Sequence, residues 1–182
     1  MNGPRILAVD PGRTMFGVAV FEGASLRYYG VKCLRVPGTP AEVRRAAARV
    51  ISKLIATYRP THMAIEQPLV VQQRAELLAH VIAAIKATAR VRGLPVCEYA
   101  PLPVRRLVCL SEKPTKCDVS RRLAERYPEL ARYDALRGAA AKAYYERMFG
   151  AVAVGLVANE LGGARHEKFG GGLEEDKYRE GI

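Results

Sequence analysis

No apolar stretch in this sequence reaches the roughly 18 uninterrupted residues that a membrane span requires. Its opening, MNGPRILAVDPG, lacks the basic n-region, the long apolar run and the small-residue cleavage site of a secretory signal. A cytoplasmic protein with no membrane role is expected. Cysteine is scarce: Cys33, Cys97, Cys109 and Cys117 form no C-x-x-C pair, and the three histidines (His62, His80, His166) are scattered. That excludes a zinc pattern and leaves buried free thiols as the expectation. No G-x-x-x-x-G-K-[ST] or G-x-G-x-x-G string occurs, so neither a P-loop nor a dinucleotide-binding turn is supported. Aspartate is rare too, with four in the chain: Asp10, Asp118, Asp134 and Asp176.

What is present is an ordinary globular composition with a strong bias of charge. The chain has 182 residues, 49% hydrophobic and 26% charged, enough for one domain with a proper core. It carries 29 Lys and Arg against 18 Asp and Glu, a net charge of +11. From Gly162 onward there are four basic and five acidic residues, so the first 161 hold 25 basic and 13 acidic. A folded domain that basic points to a polyanionic partner, foremost nucleic acid.

Hydrophobic periodicity divides the chain. Arg5–Asp10, Met15–Glu22 and Leu26–Val36 read as three strands joined by short Pro-Gly and Gly turns, an antiparallel meander. Thr39 and Glu42 form a capping box with Pro40 at the first helical position, and a helix follows until Pro60. His62–Glu66 is a fourth strand, Gln72 to about Arg92 a helix, and Pro95–Tyr99 a fifth strand. The remainder is helical over 103–110, 117–127 and 139–161. Six glycines among the last 21 residues mark 162–182 as a disordered tail. The fold class is α/β: residues 1–161 form one mixed five-stranded sheet, with a three-strand antiparallel meander, further parallel strands and flanking helices.

Two acids end two strands. Asp10 precedes Pro11-Gly12, and Glu66 precedes Gln67-Pro68. In an α/β sheet, chemistry gathers at strand ends, where loops open a crevice. Neighbouring parallel strands would bring the two carboxylates together. Paired hard oxygen ligands suit Mg²⁺ or Mn²⁺, and on a basic protein such ions act on phosphodiesters. The competing reading is that Asp10 only caps its turn. Tyr28 and Tyr29 could stack on bases, but tyrosines in a strand more often pack against neighbours.

Ile6–Gly12 (ILAVDPG), Ala64–Gln67 (AIEQ) and Leu94–Ala100 (LPVCEYA) resemble the RuvC Holliday-junction resolvases of the ribonuclease H-like superfamily. The resemblance spans about residues 5–158. It implies a ribonuclease H-like fold, a homodimer, and Mg²⁺-dependent cutting of four-way DNA junctions. Asp10 and Glu66 would be metal ligands and catalytic. The basic residues that follow in that family are matched by Arg105, Arg106, Lys113 and Lys116. Arg105 and Lys116 would contact the scissile phosphate, Lys116 with a catalytic part, while Arg106, Lys113 and Arg121 would hold nucleic acid. Gln67 would lie beside the DNA.

The last helix departs from that pattern. The family places two acids, or His and Asp, three residues apart on it. Aligning the Ala151-Val152-Ala153-Val154 run puts Arg147 and Gly150 in those places. Neither binds a cation, and a guanidinium repels one. Glu146 lies four residues before Gly150, on the same helix face, and is the candidate third metal ligand and catalytic acid. Weak Mg²⁺ or Mn²⁺ binding is expected. Two functions stay open: a metal-dependent junction endonuclease, and an inactive relative that binds branched DNA or RNA without cutting. Asp10-Pro11-Gly12-Arg13-Thr14 also resembles the first phosphate loop of actin-like ATPases, but 182 residues do not supply their two domains.

Overall fold

The computed structural model describes residues 4–34, 39–67, 75–136 and 139–168. Its strands are β1 (Arg5–Asp10), β2 (Met15–Glu22), β3 (Ser25–Cys33), β4 (His62–Glu66) and β5 (Val96–Tyr99). Its helices are α1 (Pro40–Tyr58), α2 (Ala75–Val91), α3 (Pro101–Cys109), α4 (Lys116–Arg126), α5 (Ala131–Asp134) and α6 (Ala139–Lys168). A 3-10 turn at Pro128–Leu130 leads into α5. The sheet order is β3-β2-β1-β4-β5. β1, β2 and β3 pair antiparallel; β1, β4 and β5 pair parallel. This is the expected mixed five-stranded sheet.

Strand periodicity sorts the core into two layers. Along β1, Leu7 and Val9 face one way, into a cluster with Val43, Ala47 and Ile51 of α1 and Val81 and Ile85 of α2. Ile6 and Ala8 face the other way, into a cluster with Val152, Leu156 and Val157 of α6 and Val104, Val119 and Leu123 of α3 and α4. Each fully buried Leu, Ile or Val of these layers contributes about 1.5–3 kcal/mol relative to exposure. Glycine lets α6 sit close to the sheet: a Cβ on Gly17 would strike the Arg147 carbonyl, and one on Gly155 would strike the Phe21 ring.

Helix starts follow local chemistry. The capping box at Thr39 and Glu42 forms as expected, with Thr39 N–H donating to Glu42 Oε2 at 2.8 Å. A second box, at Thr115 and Asp118, starts α4. Each side-chain cap stabilises its helix by about 1 kcal/mol. α3 begins two residues before the expected start, because prolines 101 and 103 fit a first helical turn. α6 continues through Lys168, past the expected end at Leu161; residues 169–182 lie outside the described residues. So do 35–36 and 72–74, which the sequence assigned to the third strand and to α2.

The four cysteines are free thiols, but none is buried: Cys33 and Cys97 are exposed, Cys109 and Cys117 half-buried. Cys33 ends β3 and Cys97 lies in β5, the two edge strands, where one side of the sheet meets solvent. Tyr28 and Tyr29 pack within the protein. Their rings lie 5.1 Å from Tyr58 and 5.9 Å from Tyr133, respectively.

Candidate active site

The same alternation that builds the core aims the two acids. Asp10 follows Ile6 and Ala8 on the α6 side of β1, and Glu66 follows Ala64 on that side of β4. Ala8 pairs with Ala64 across the parallel β1–β4 ladder, so two residues on, both carboxylates leave the sheet together. They lie at the carboxyl ends of adjacent parallel strands, in one cleft of about 430 Å³.

Helices α3, α4 and α6 wall that cleft with positive charge. Arg105, Lys116, Arg121, Lys142 and Arg147 line it, together with Glu146, Gly150, Tyr133 and Tyr145. Of the residues expected from the sequence, Asp10, Glu66, Arg105, Lys116, Arg121 and Glu146 are thus brought together. Arg106, Lys113 and Gln67 do not line the cleft. Arg106 turns to its own loop, with Nε donating to the Glu112 carbonyl at 3.0 Å. Lys113 and Gln67 are exposed, and the Gln67 N–H extends the sheet by donating to the Tyr99 carbonyl at 2.8 Å.

The register inferred for the last helix holds. Arg147 and Gly150 both face Asp10. Arg147 Nη1 donates to Asp10 Oδ1 at 2.7 Å and to the Pro11 carbonyl at 3.1 Å. Gly150 lies so near that a Cβ there would run into Asp10 Oδ2. Glu146, on the cleft wall, forms an ion pair with Lys116. Among the described residues, no three His, Cys, Asp or Glu side chains gather as a metal-binding group. Asp10 and Glu66 have the chemistry of hard-cation ligands. The complete donor set expected with Glu146 does not fit this arrangement, since Lys116 holds Glu146 and Arg147 holds Asp10.

Electrostatics follow from this geometry. Asp10 is 4% exposed. Burial, and then the nearby Glu66 charge, push its carboxyl up to about 7, although Arg147 pulls the other way. Burial also raises Glu66, opposed by Arg105, Arg147 and Lys116 and reinforced by Glu146. For Arg147, burial works against the charge, but Asp10, Glu66 and Glu146 outweigh it and hold the guanidinium above its ordinary value.

Sequence reading missed the far wall of the cleft. Ser120 Oγ donates to Asp134 Oδ1 at 2.5 Å, and the Tyr133 and Tyr145 rings lie 4.7 Å apart. Asp134 carries no motif or register that assigns it to the site from the sequence. It enters the cleft wall because α5, which carried no periodic signal, folds back on α4 through Ser120. Glu160 does stand apart, paired with Arg126 at 2.9 Å.

Comparison with known proteins places this architecture. The family model for the crossover junction endodeoxyribonuclease RuvC matches residues 6–126. The RuvC endonuclease of Alkalilimnicola ehrlichii is 35% identical over 108 residues, 54% of this chain and 62% of that protein. The alignment therefore spans about three fifths of that curated relative's length. Among solved structures, Thermus thermophilus RuvC in complex with a Holliday junction substrate aligns with a TM-score of 0.66 at 20% identity, covering 89% of this chain and 95% of that one. The yeast mitochondrial Holliday junction resolvase Ydc2 aligns with a TM-score of 0.67 at 13% identity, covering 91% and 82%. At those identities the likeness is one of fold. The family match takes in Asp10, Glu66, Arg105 and Lys116, and it stops before the helix that carries Arg147 and Gly150.

Proposed function

We propose, for a chain that belongs to the RuvC family of crossover junction endodeoxyribonucleases, that it binds four-way DNA junctions and hydrolyses their phosphodiester strands. One observation carries this reading: Asp10 and Glu66 leave adjacent parallel strands side by side, in a cleft ringed by arginine and lysine. The excess of positive charge attracts the phosphate backbone, and the basic rim fixes a strand over the acids. Arg105 and Lys116 hold the scissile phosphate, with Arg121 on the same wall. Arg106, Lys113 and Gln67, all exposed, contact flanking nucleotides. Asp10 and Glu66 would hold Mg²⁺ or Mn²⁺, which would supply a Lewis acid at the phosphate, and Arg147 would have to release Asp10 first. Magnesium is commonly held by one or two carboxylates, with waters and substrate phosphates completing its shell, so two acids suffice for one ion.

A four-way junction has approximate two-fold symmetry, and paired cuts need paired sites, so the chain acts as a homodimer. Helix α2 is the proposed interface. It buries Val81, Ala84, Ile85 and Ala89 against the rest of its own subunit. It leaves Leu78 half-covered and Val91 84% exposed. No described helix is long and apolar enough to cross a membrane, and the four cysteines are free thiols. Both features suit work in the cytoplasm.

The decisive experiment incubates the protein with labelled four-way and linear DNA, and with a four-way RNA, with and without Mg²⁺ or Mn²⁺. Preferential binding of the DNA junction and metal-dependent cutting are expected, with Asp10→Asn strongly reducing the cutting alone. Equal affinity for linear DNA would reduce the chain to a general polyanion binder. Junction binding with no cutting in either metal would make it a binding protein, the outcome expected if Arg147 never yields Asp10. Preference for the RNA junction would reassign the substrate.

A further inference from the structure

We propose that Arg147 is a built-in counter-cation of this site, competing with a divalent ion for Asp10. The inference rests on the reading of Asp10 as a metal-binding carboxylate, and it deepens that reading.

Three features make the arginine part of the site. Its Nη1 is shared between Asp10 Oδ1 at 2.7 Å and the Pro11 carbonyl at 3.1 Å, so the guanidinium is tied to both the acid and the turn after it. The turn passes close to it: a Cβ on Gly12 would strike the Met15 carbonyl first and also come within 3.2 Å of Arg147 Nε. Its backbone is fixed, because the Arg147 carbonyl lies where a Cβ on Gly17 would have to stand. Arg147 therefore leaves Asp10 by a side-chain movement, with α6 staying in place.

Charge accounting points the same way. Around Asp10, Glu66 and Glu146 stand Arg147, Arg105 and Lys116, while the cleft wall adds Asp134 on one side and Arg121 and Lys142 on the other. Arg147 is bonded to Asp10, Lys116 to Glu146, and Arg105 is the leading opposite charge acting on Glu66. The three carboxylates are matched one for one without any metal. A hard cation binds where uncompensated anionic oxygen repays its lost hydration. Here it must first displace a guanidinium that never loses its charge. The other Asp10 oxygen is flanked by Gly150, which supplies no ligand in compensation.

Metal binding to the full-length chain, measured by calorimetric titration with Mn²⁺ alone, tests this without reference to catalysis. Arg147→Gln should bind Mn²⁺ about tenfold more tightly than the parent, or better, equivalent to ~1.4 kcal/mol or more. Arg147→Lys, which keeps the charge, should stay nearer the parent. Adding Asp10→Asn to Arg147→Gln should abolish the gain. Thermal unfolding gives a second readout: Mn²⁺ should raise the midpoint of Arg147→Gln more than that of the parent. Equal Mn²⁺ affinity in the parent and in Arg147→Gln overturns the proposal, as does a gain that survives Asp10→Asn. If Arg147→Gln does not fold, an Arg147→Lys protein that binds Mn²⁺ more than tenfold tighter than the parent overturns it as well. The junction assay fails separately. A parent that cuts nothing in either metal, while Arg147→Gln gains Mn²⁺ affinity, refutes the nuclease and leaves the counter-cation standing. A parent that cuts well while Arg147→Gln gains no affinity does the reverse.

Discussion

Gly150→Ala should destabilise this protein, although the same exchange inside an ordinary helix does the opposite. Alanine is favoured over glycine in a helix interior by about 0.5–1 kcal/mol. At position 150 the new methyl would meet Asp10 Oδ2 first, with Asp10 Cγ at 3.0 Å and Cβ at 3.3 Å behind it. Rotating the carboxylate moves Oδ2 but leaves Cγ and Cβ where they are. It also breaks alignment with Arg147, whose bond to Oδ1 is 2.7 Å. Overfilling a tight site costs roughly 1–3 kcal/mol, and weakening a charge-assisted hydrogen bond a further ~1 kcal/mol or more. Set against the helix gain, the net loss is ~1–3 kcal/mol. For a chain of this size each kcal/mol lowers the melting midpoint by about 2–4 °C. Urea unfolding and a thermal melt of Gly150→Ala beside the parent check the sign. A variant as stable as the parent, or more so, would refute the close approach of Asp10 to α6, and with it the geometry of the site.

Three further outcomes are expected. Thr115→Ala removes the oxygen that accepts from Asp118 N–H at 3.2 Å, and should cost about 1 kcal/mol in urea unfolding; no loss would mean that α4, which begins at Lys116, is not held by this cap. Arg105→Gln should lower the slope of log K against log salt for junction binding by about 0.9 if Arg105 neutralises one phosphate, and an unchanged slope removes Arg105 from the interface. Sedimentation at micromolar concentration should give a dimer that Val91→Glu dissociates, and a 20.0 kDa species from the parent would count against the α2 interface.

The extent to which the sequence foretells the site depends on which kind of interaction placed each residue. Asp10 and Glu66 were legible because strand parity is a local property. In RILAVD and HMAIE, apolar residues on both faces identify buried strands, and counting by two then sets the acids on the α6 side. The position of Arg147 at the site followed from the family resemblance, since the Ala151-Val152-Ala153-Val154 run aligns the last helix with the one that carries the family's acids. What Arg147 does there did not, because the bond to Asp10 joins side chains 137 residues apart and depends on the depth of α6 against Gly17. Glu146 illustrates the same limit. Its place four residues before Gly150, on the same helix face, suggested a metal ligand, but Lys116, on a helix thirty residues earlier, pairs with it. Short elements escaped altogether: α5 has four residues, too few for a period, and it is held by tertiary contacts such as that between Ser120 and Asp134. The cysteines were misjudged because a residue-type preference cannot distinguish an edge strand from a central one.

Two carboxylates at the ends of parallel strands repel each other, and the folded site must offset that repulsion. A bound divalent ion is one means; an arginine from the last helix is another, and this chain has the second. The difference matters for when the site becomes competent. An ion held by acids alone can be in place before DNA binds. With Arg147 on Asp10, the metal-free site is already compensated, and an ion gains a foothold only when something else takes up the guanidinium. The nearest chemistry able to do so is the phosphate that the basic rim draws in, because arginine pairs with phosphate as readily as with carboxylate. Metal affinity should therefore rise when a junction is bound, and by linkage junction affinity should rise by the same factor when metal is present. Measuring Mn²⁺ affinity of the parent with and without a junction whose scissile phosphates are replaced by non-hydrolysable linkages reads that coupling directly. Equal affinities in the two cases would show that DNA does not release Arg147, and that cutting, if observed, proceeds with the arginine still on Asp10.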